Sequence, residues 1–158
     1  MGMIGLYKAL PEQEIKQLAE GKLDAGEVIS TSGEQLDIDK AWQGIHYALT
    51  GELIGGEQPL SYVVPMIDGQ GLDLGDFGAF YLYPAQVQAT AEAIKNFTQA
   101  EFAALFAKYD PLQEEVYPVT AEDDAEEFLA YLYQYFTDIQ TYYQNVAATG
   151  KGVVFYIV

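Results

Sequence analysis

Two short apolar runs, one near each end of the chain, constrain the fold most. "MIGLY" (Met3 to Tyr7) has no helical period, and "GVVFYIV" (Gly152 to Val158) is β-branched and aromatic. Neither run is stable as an isolated strand, and each must pair its backbone N–H and C=O groups with a neighbour. Both are therefore expected in one central sheet. Ahead of the second run, Phe128, Leu129, Leu132, Phe136, Ile139, Tyr143 and Val146 recur at 3-4 spacing. That period predicts a long amphipathic helix, which Gly150 stops. The fold class that follows is α+β. A single compact domain, residues 1–158, is expected to hold a small mixed or antiparallel sheet with both terminal strands in it, packed by several helices including the long C-terminal one.

The middle of the chain adds helices and one or two more strands. Pro11 opens a helix carrying Ile15, Leu18 and Ala19 on one face, and Gly21 ends it. Lys22 to Gln35 reads as an irregular connection. A helix is expected from an Asp37 N-cap to a Gly51 C-cap, with Ile38, Ala41, Trp42, Ile45 and Leu49 as its apolar stripe. "SYVVPMI" (Ser61 to Ile67) reads as a strand demoted by Pro65, and Asp68 to Gly78 as loop. "AFYLY" (Ala79 to Tyr83) is a better strand, and Pro84 after it opens a helix running to about Phe97. Thr98 with Glu101 forms a capping box, and Thr120 with Asp123 resembles a second one.

Composition removes several classes of function. The chain has 24 acidic residues against seven lysines and no arginine, a formal charge of −17. Nucleic-acid phosphates and anionic membranes require a basic face, so neither is an expected partner. Zero cysteines exclude disulfides, thiolate nucleophiles and cysteine-type zinc sites. The chain has no apolar run of membrane-spanning length, and "MGMIGLYKAL" lacks a basic n-region and the Ser or Thr of a myristoylation motif. A cytoplasmic location is the expectation.

Standard catalytic motifs fail on spacing. Gly69, Gly71 and Gly75 miss the dinucleotide fingerprint, and Asp68, Asp73 and Asp76 miss the calcium-hand pattern. Ser30, Ser32 and Ser61 sit in no nucleophile elbow. No cofactor and no metal is expected. Any histidine mechanism must use His46, the only histidine.

That histidine lies in "LDIDKAWQGIHYALTG" (Leu36 to Gly51), one helical turn from the only tryptophan, Trp42. At about 100° per residue, Asp39, His46 and Thr50 share one flank of the helix, with Gln43 close by. Trp42 is expected in the core and His46 at its margin. Asp39, Lys40, Trp42, Gln43, His46 and Thr50 are the candidate binding flank.

The same segment carries a resemblance. The pattern Asp39-Lys40-x-Trp42-x-x-x-His46-x-x-Leu49-Thr50-Gly51, with "MGMIG", "YLYPAQV" and "VYP", resembles the YfbM-like family, domain of unknown function 1877. The resemblance spans almost the whole chain and implies a compact α+β domain of bacterial origin. It carries over no catalytic residue, because the family has no established activity. The reading of the sequence is a small acidic non-catalytic binding or interaction protein, whose partner is an unknown protein or small molecule. Two alternatives stand beside it. One is an inhibitor or immunity-type protein for a basic toxin or nuclease, a possible basic protein partner. The other is a hydrolase or transferase using His46 with nearby carboxylates.

Overall fold

A computed structural model describes residues 2–31 and 33–158. Among the described residues, the strands are β1 (Gly5–Leu10), β2 (Gln35–Asp37), β3 (Gly71–Leu72), β4 (Ala79–Leu82) and β5 (Gly152–Ile157). They form one antiparallel sheet in the order β2-β1-β5-β4-β3. The last strand is thus the central one, paired with β1 from Gly5↔Ile157 to Leu10↔Gly152 and with β4 from Ala79↔Tyr156 to Leu82↔Val153. Both terminal runs lie in the sheet, as their inability to stand alone requires.

Alternation along the strands gives the sheet two buried faces. Tyr7, Leu82, Val153 and Phe155 point to the larger core, with α3 (Trp42–Thr50), α4 (Pro84–Ile94), α5 (Gln99–Tyr109) and α6 (Ala125–Ala148). Leu10, Ala79, Tyr81, Val154 and Tyr156 point the other way, onto α1 (Glu12–Ala19) and α2 (Ala25–Ile29). Phe128, Leu132, Phe136, Ile139, Tyr143 and Val146, read as the stripe of α6, are all buried. Each large apolar side chain removed from water contributes about 1.5–3 kcal/mol. Two of the core aromatics are tyrosines whose hydroxyls reach one buried segment: that of Tyr7 donates to the Val63 carbonyl at 2.5 Å, and that of Tyr143 lies 2.9 Å from the Tyr62 carbonyl oxygen and 3.0 Å from that of Val63.

Where α3 crosses α6, the side-chain-free Gly44 lets the two backbones approach. A Cβ there would lie 2.8 Å from Leu132 Cδ2 and 2.9 Å from Phe128 Cζ.

Local signals were overridden in five places. Lys22 to Gln35 is not merely irregular: the Asp24 carboxylate accepts the Glu27 N–H and starts α2, and Gln35 enters β2. Asp37 does not cap α3. Its carboxylate accepts the Asp39 N–H at 2.7 Å, and Asp39 then adopts φ +50°, outside the helical region. A 3₁₀ turn over Asp39–Ala41 follows before α3 begins at Trp42. Ser61 to Ile67 is no strand: its residues are buried, but a 3₁₀ turn (Leu60–Tyr62) and local bonds around Pro65 use its backbone. Gly71 and Leu72 pair with Phe80 and Ala79 inside the expected loop. The box at Thr98 and Glu101 forms, but Thr120 and Asp123 make only a turn, and Asp124 caps α6 by accepting the Glu127 N–H.

Removing Val153 to Val158 takes out the centre of the sheet and exposes both cores. The truncated chain is expected to lose its cooperative thermal transition; a melt near that of the intact protein would refute the central role of β5. Gly44→Ala is expected to destabilise by about 1–3 kcal/mol in chemical denaturation, because overpacking outweighs the gain in helix propensity.

Candidate functional site

The predicted flank of α3 divides into two separate places. On one side, the Tyr131 hydroxyl of α6 donates to the Asp39 carboxylate at 2.6 Å and accepts the Lys40 N–H at 3.1 Å. Burial, then the Asp39 charge, pushes the Tyr131 pKa up and keeps it a neutral donor. On the other side, Gln43, His46 and Thr50 hold the loop that follows the helix. The Gln43 side chain donates to the Leu53 carbonyl at 2.7 Å, and the Thr50 hydroxyl accepts the Glu52 N–H at 3.1 Å. Asp39 does not join His46, because the positive φ at Asp39 takes it off the helical spiral on which the flank was drawn.

Trp42 is a core residue, 5% exposed, with its indole N–H donating to the Met3 carbonyl at 2.9 Å and its ring tilted against Tyr117. The Tyr117 hydroxyl in turn accepts the Met3 N–H at 2.7 Å. The rare aromatic therefore pins the entry to β1.

His46 lies inside the core, fully buried, and not at its margin. Nδ1 is 2.8 Å from the Val64 carbonyl oxygen and Nε2 is 2.7 Å from that of Gly55. Both ring nitrogens thus face acceptors, of which a neutral ring can serve only one. Burial pushes the His46 pKa below its ordinary value, against the upward pull of the Gly55 and Val64 carbonyls and the Glu52 charge. Desolvation is the larger influence, so the ring is neutral at pH 7 and works as a strut between two parts of one loop. A ring occupied in this way is poorly placed to move protons for a substrate. Ser30 lies on the exposed surface and Ser61 is buried, while Ser32 lies outside the described residues.

A different place in the fold gathers Lys8 and Tyr142 around a cavity. The β1–β2 ladder ends at Lys8↔Gln35, and beyond it a cavity of about 430 Å³ opens between the end of β1, the residues Thr31, Gly33 and Glu34, and the last turns of α6. Lys8 lines it and is only 4% exposed. Its ammonium donates to the Thr31 carbonyl and, at 3.0 Å, to the Thr31 hydroxyl. The ion pairs among the described residues join Lys16 to Glu12, Lys22 to Glu20 and Lys95 to Glu92, so none includes Lys8. The Tyr142 hydroxyl on the α6 wall is buried with no hydrogen-bond partner among the described residues. Burial, then the charge of Glu34, pushes its pKa up and preserves the O–H donor. Glu14, Glu34 and Lys151 complete the charged lining.

Neither Lys8 nor Tyr142 stood out in the sequence. A signal was present in "GLYKAL": if the strand is extended past Tyr7, Lys8 falls on the same buried face as Leu6 and Leu10. No group of three or more histidine, aspartate or glutamate side chains among the described residues is placed to hold a metal ion. No helix among them is long and apolar enough to cross a membrane.

Two measurements test these roles. Trp42→Ala is expected to cost about 3–5 kcal/mol in chemical denaturation, the range for truncating a buried aromatic. For His46, folding lowers the pKa, so the unfolded chain takes up the proton first as pH falls below about 6.5. The stability tied to the neutral ring is present above that value and is lost as pH falls through the folded value. Wild type is expected to lose more stability than His46→Gln between about pH 7 and 5; equal losses would refute the strut.

The model of DUF1877, a domain of unknown function, matches residues 1–156. No curated protein matches the chain. In structure the chain is similar to YfbM from Escherichia coli, a protein of unknown function known from its crystal structure. The two are 23% identical with a TM-score of 0.74, and the match covers 98% of this chain and 99% of that one. At this identity the likeness concerns the fold: the α+β architecture is shared over nearly the full length of both. With the family model matching all but the last two residues, the chain belongs to the DUF1877 family.

Proposed function

We propose that the protein is a non-catalytic binding protein whose small-molecule ligand occupies the Lys8–Tyr142 cavity and presents an anionic group to it. One observation carries the reading: a nearly buried lysine, its ammonium held by Thr31 and by no carboxylate, lines the same cavity as a buried hydroxyl donor without an acceptor. Native proteins rarely leave such groups uncompensated, since burying an unpaired charge or donor costs several kcal/mol. An anionic group in the cavity supplies the counter-charge that Lys8 lacks, and a polar acceptor there supplies the partner that the Tyr142 hydroxyl lacks. The cavity volume, about 430 Å³, lies within the usual range for small-molecule sites. The reading as a hydrolase or transferase draws less support, because His46 is fully buried with a backbone carbonyl oxygen against each ring nitrogen.

Ligand-observed NMR with a set of small carboxylic acids, matched amides and matched amines tests the proposal. Carboxylic acids are expected to give saturation transfer that disappears in Lys8→Met. Tyr142→Phe removes only the orphan hydroxyl, so it is expected to keep or slightly raise the melting temperature while weakening the same ligands by about 1 kcal/mol, or roughly fivefold. Signals that persist in Lys8→Met, or no binding by any acid, would refute the assignment.

A further inference from the structure

We infer that the ligand is a zwitterion, a molecule of amino-acid to dipeptide size carrying one carboxylate and one protonated amine. This inference rests on the proposed ligand cavity and adds the chemistry of its second pole. The lining is charged in both senses: Lys8 and Lys151 stand with Glu14 and Glu34 around one opening. A site for a dianion such as a phosphate would place no carboxylate on its wall, where it repels the ligand by the same Coulomb interaction that attracts it elsewhere. Glu34 lies close enough to Tyr142 to raise the pKa of its hydroxyl, so negative charge sits within reach of the donor that would hold the ligand carboxylate. The ligand therefore needs a cationic group near its anionic one.

The field of the whole molecule points the same way. With a formal charge of −17, the surface repels net anions, and this opposes the approach of any ligand that is only an acid. A net-neutral zwitterion meets no such penalty and still delivers a carboxylate to Lys8. The remaining walls suit its body. Ala9, Leu10, Pro11 and Val146 are apolar and accept an aliphatic or aromatic side chain.

The orientation follows from the burial of each group. Lys8, nearly buried, forms the inner pole and takes the carboxylate, while the enclosed Tyr142 hydroxyl on the α6 wall offers a second donor. Glu34, exposed at the rim, takes the amine, where it remains partly hydrated and contributes selectivity more than affinity. Recognition by an inner ammonium and an outer carboxylate gives modest salt dependence, because the ligand brings no net charge to screen.

Isothermal titration of the full chain tests this with the twenty common amino acids and their glycyl dipeptides, each beside its N-acetyl form and its decarboxylated amine. At least one zwitterion is expected to bind about tenfold or more tighter than both of its single-charge counterparts. Glu34→Gln is expected to narrow the gap to the N-acetyl form to about threefold or less, leaving the fold intact because Glu34 is exposed. Lys8→Met is expected to abolish binding of both acids. An N-acetyl acid binding as tightly as its zwitterion would overturn the zwitterion while leaving the anion-binding cavity standing. So would a Glu34→Gln variant with unchanged selectivity. If no zwitterion binds but simple acids do in the NMR experiment, the inference falls alone; if neither binds, it falls together with the proposed function.

Discussion

The pairing of β5 between β1 and β4 is the interaction on which the rest of the molecule depends. The final strand supplies backbone partners to both neighbours and side chains to both cores, Val153 and Phe155 to one and Val154 and Tyr156 to the other. Without it, β1 with β2 and β4 with β3 are two separate two-stranded ribbons, each too small to be stable. The helices then have no common surface to cover. Both pairings of β5 join residues far apart in the chain, so the loop-closure cost is met by the simultaneous burial of two faces.

Buried polar side chains in this fold act mainly as fasteners. Tyr7 ends on the Val63 carbonyl, Tyr143 between those of Tyr62 and Val63, His46 between those of Val64 and Gly55 with one N–H to give, and Trp42 on that of Met3. The stretch around Val63 and Val64 has no regular secondary structure, so side-chain donors take up buried carbonyls that no helix or sheet ladder serves. Aromatic and imidazole groups are suited to this task because they bring a large apolar body and one polar end to the same point. The rarity of Trp42 and His46 in the sequence thus reflects the demands of the core as much as any contact with a partner.

The cavity has the opposite character. It exists because β2 is short: its ladder with β1 stops at Lys8, and α6 passes the uncovered end of the sheet without filling the space. Lys8 is drawn in by strand parity, and Tyr142 by its place beside Tyr143 on the buried stripe of α6. Both are held by rigid elements; the Lys8 ammonium is held by Thr31 but by no carboxylate, and the Tyr142 hydroxyl has no partner among the described residues. Such a combination of fixed backbone and unmet polar groups is what a small-ligand site requires.

Much of this architecture was legible in the residues. The apolar stripe of α6, the two terminal strands, the Thr98–Glu101 box and the Gly51 cap each rest on local chemistry: periodicity, β-branching, a side-chain acceptor, a φ of +74° suited to glycine. Alternation also dictated that a lysine in β1 faces inward once the strand is extended to Leu10. What the sequence could not dictate was who meets whom. Asp37 offered its carboxylate to an N–H two residues on, which moved the start of α3 and split the flank of Asp39 and His46. The depth of His46, the convergence of two tyrosines on one buried segment, and the gap beyond β2 depend on long-range packing, because burial is a property of the assembled layers and not of any one segment. Local propensity chose the elements; the order of strands in the sheet decided which polar groups found partners and which were left facing a cavity.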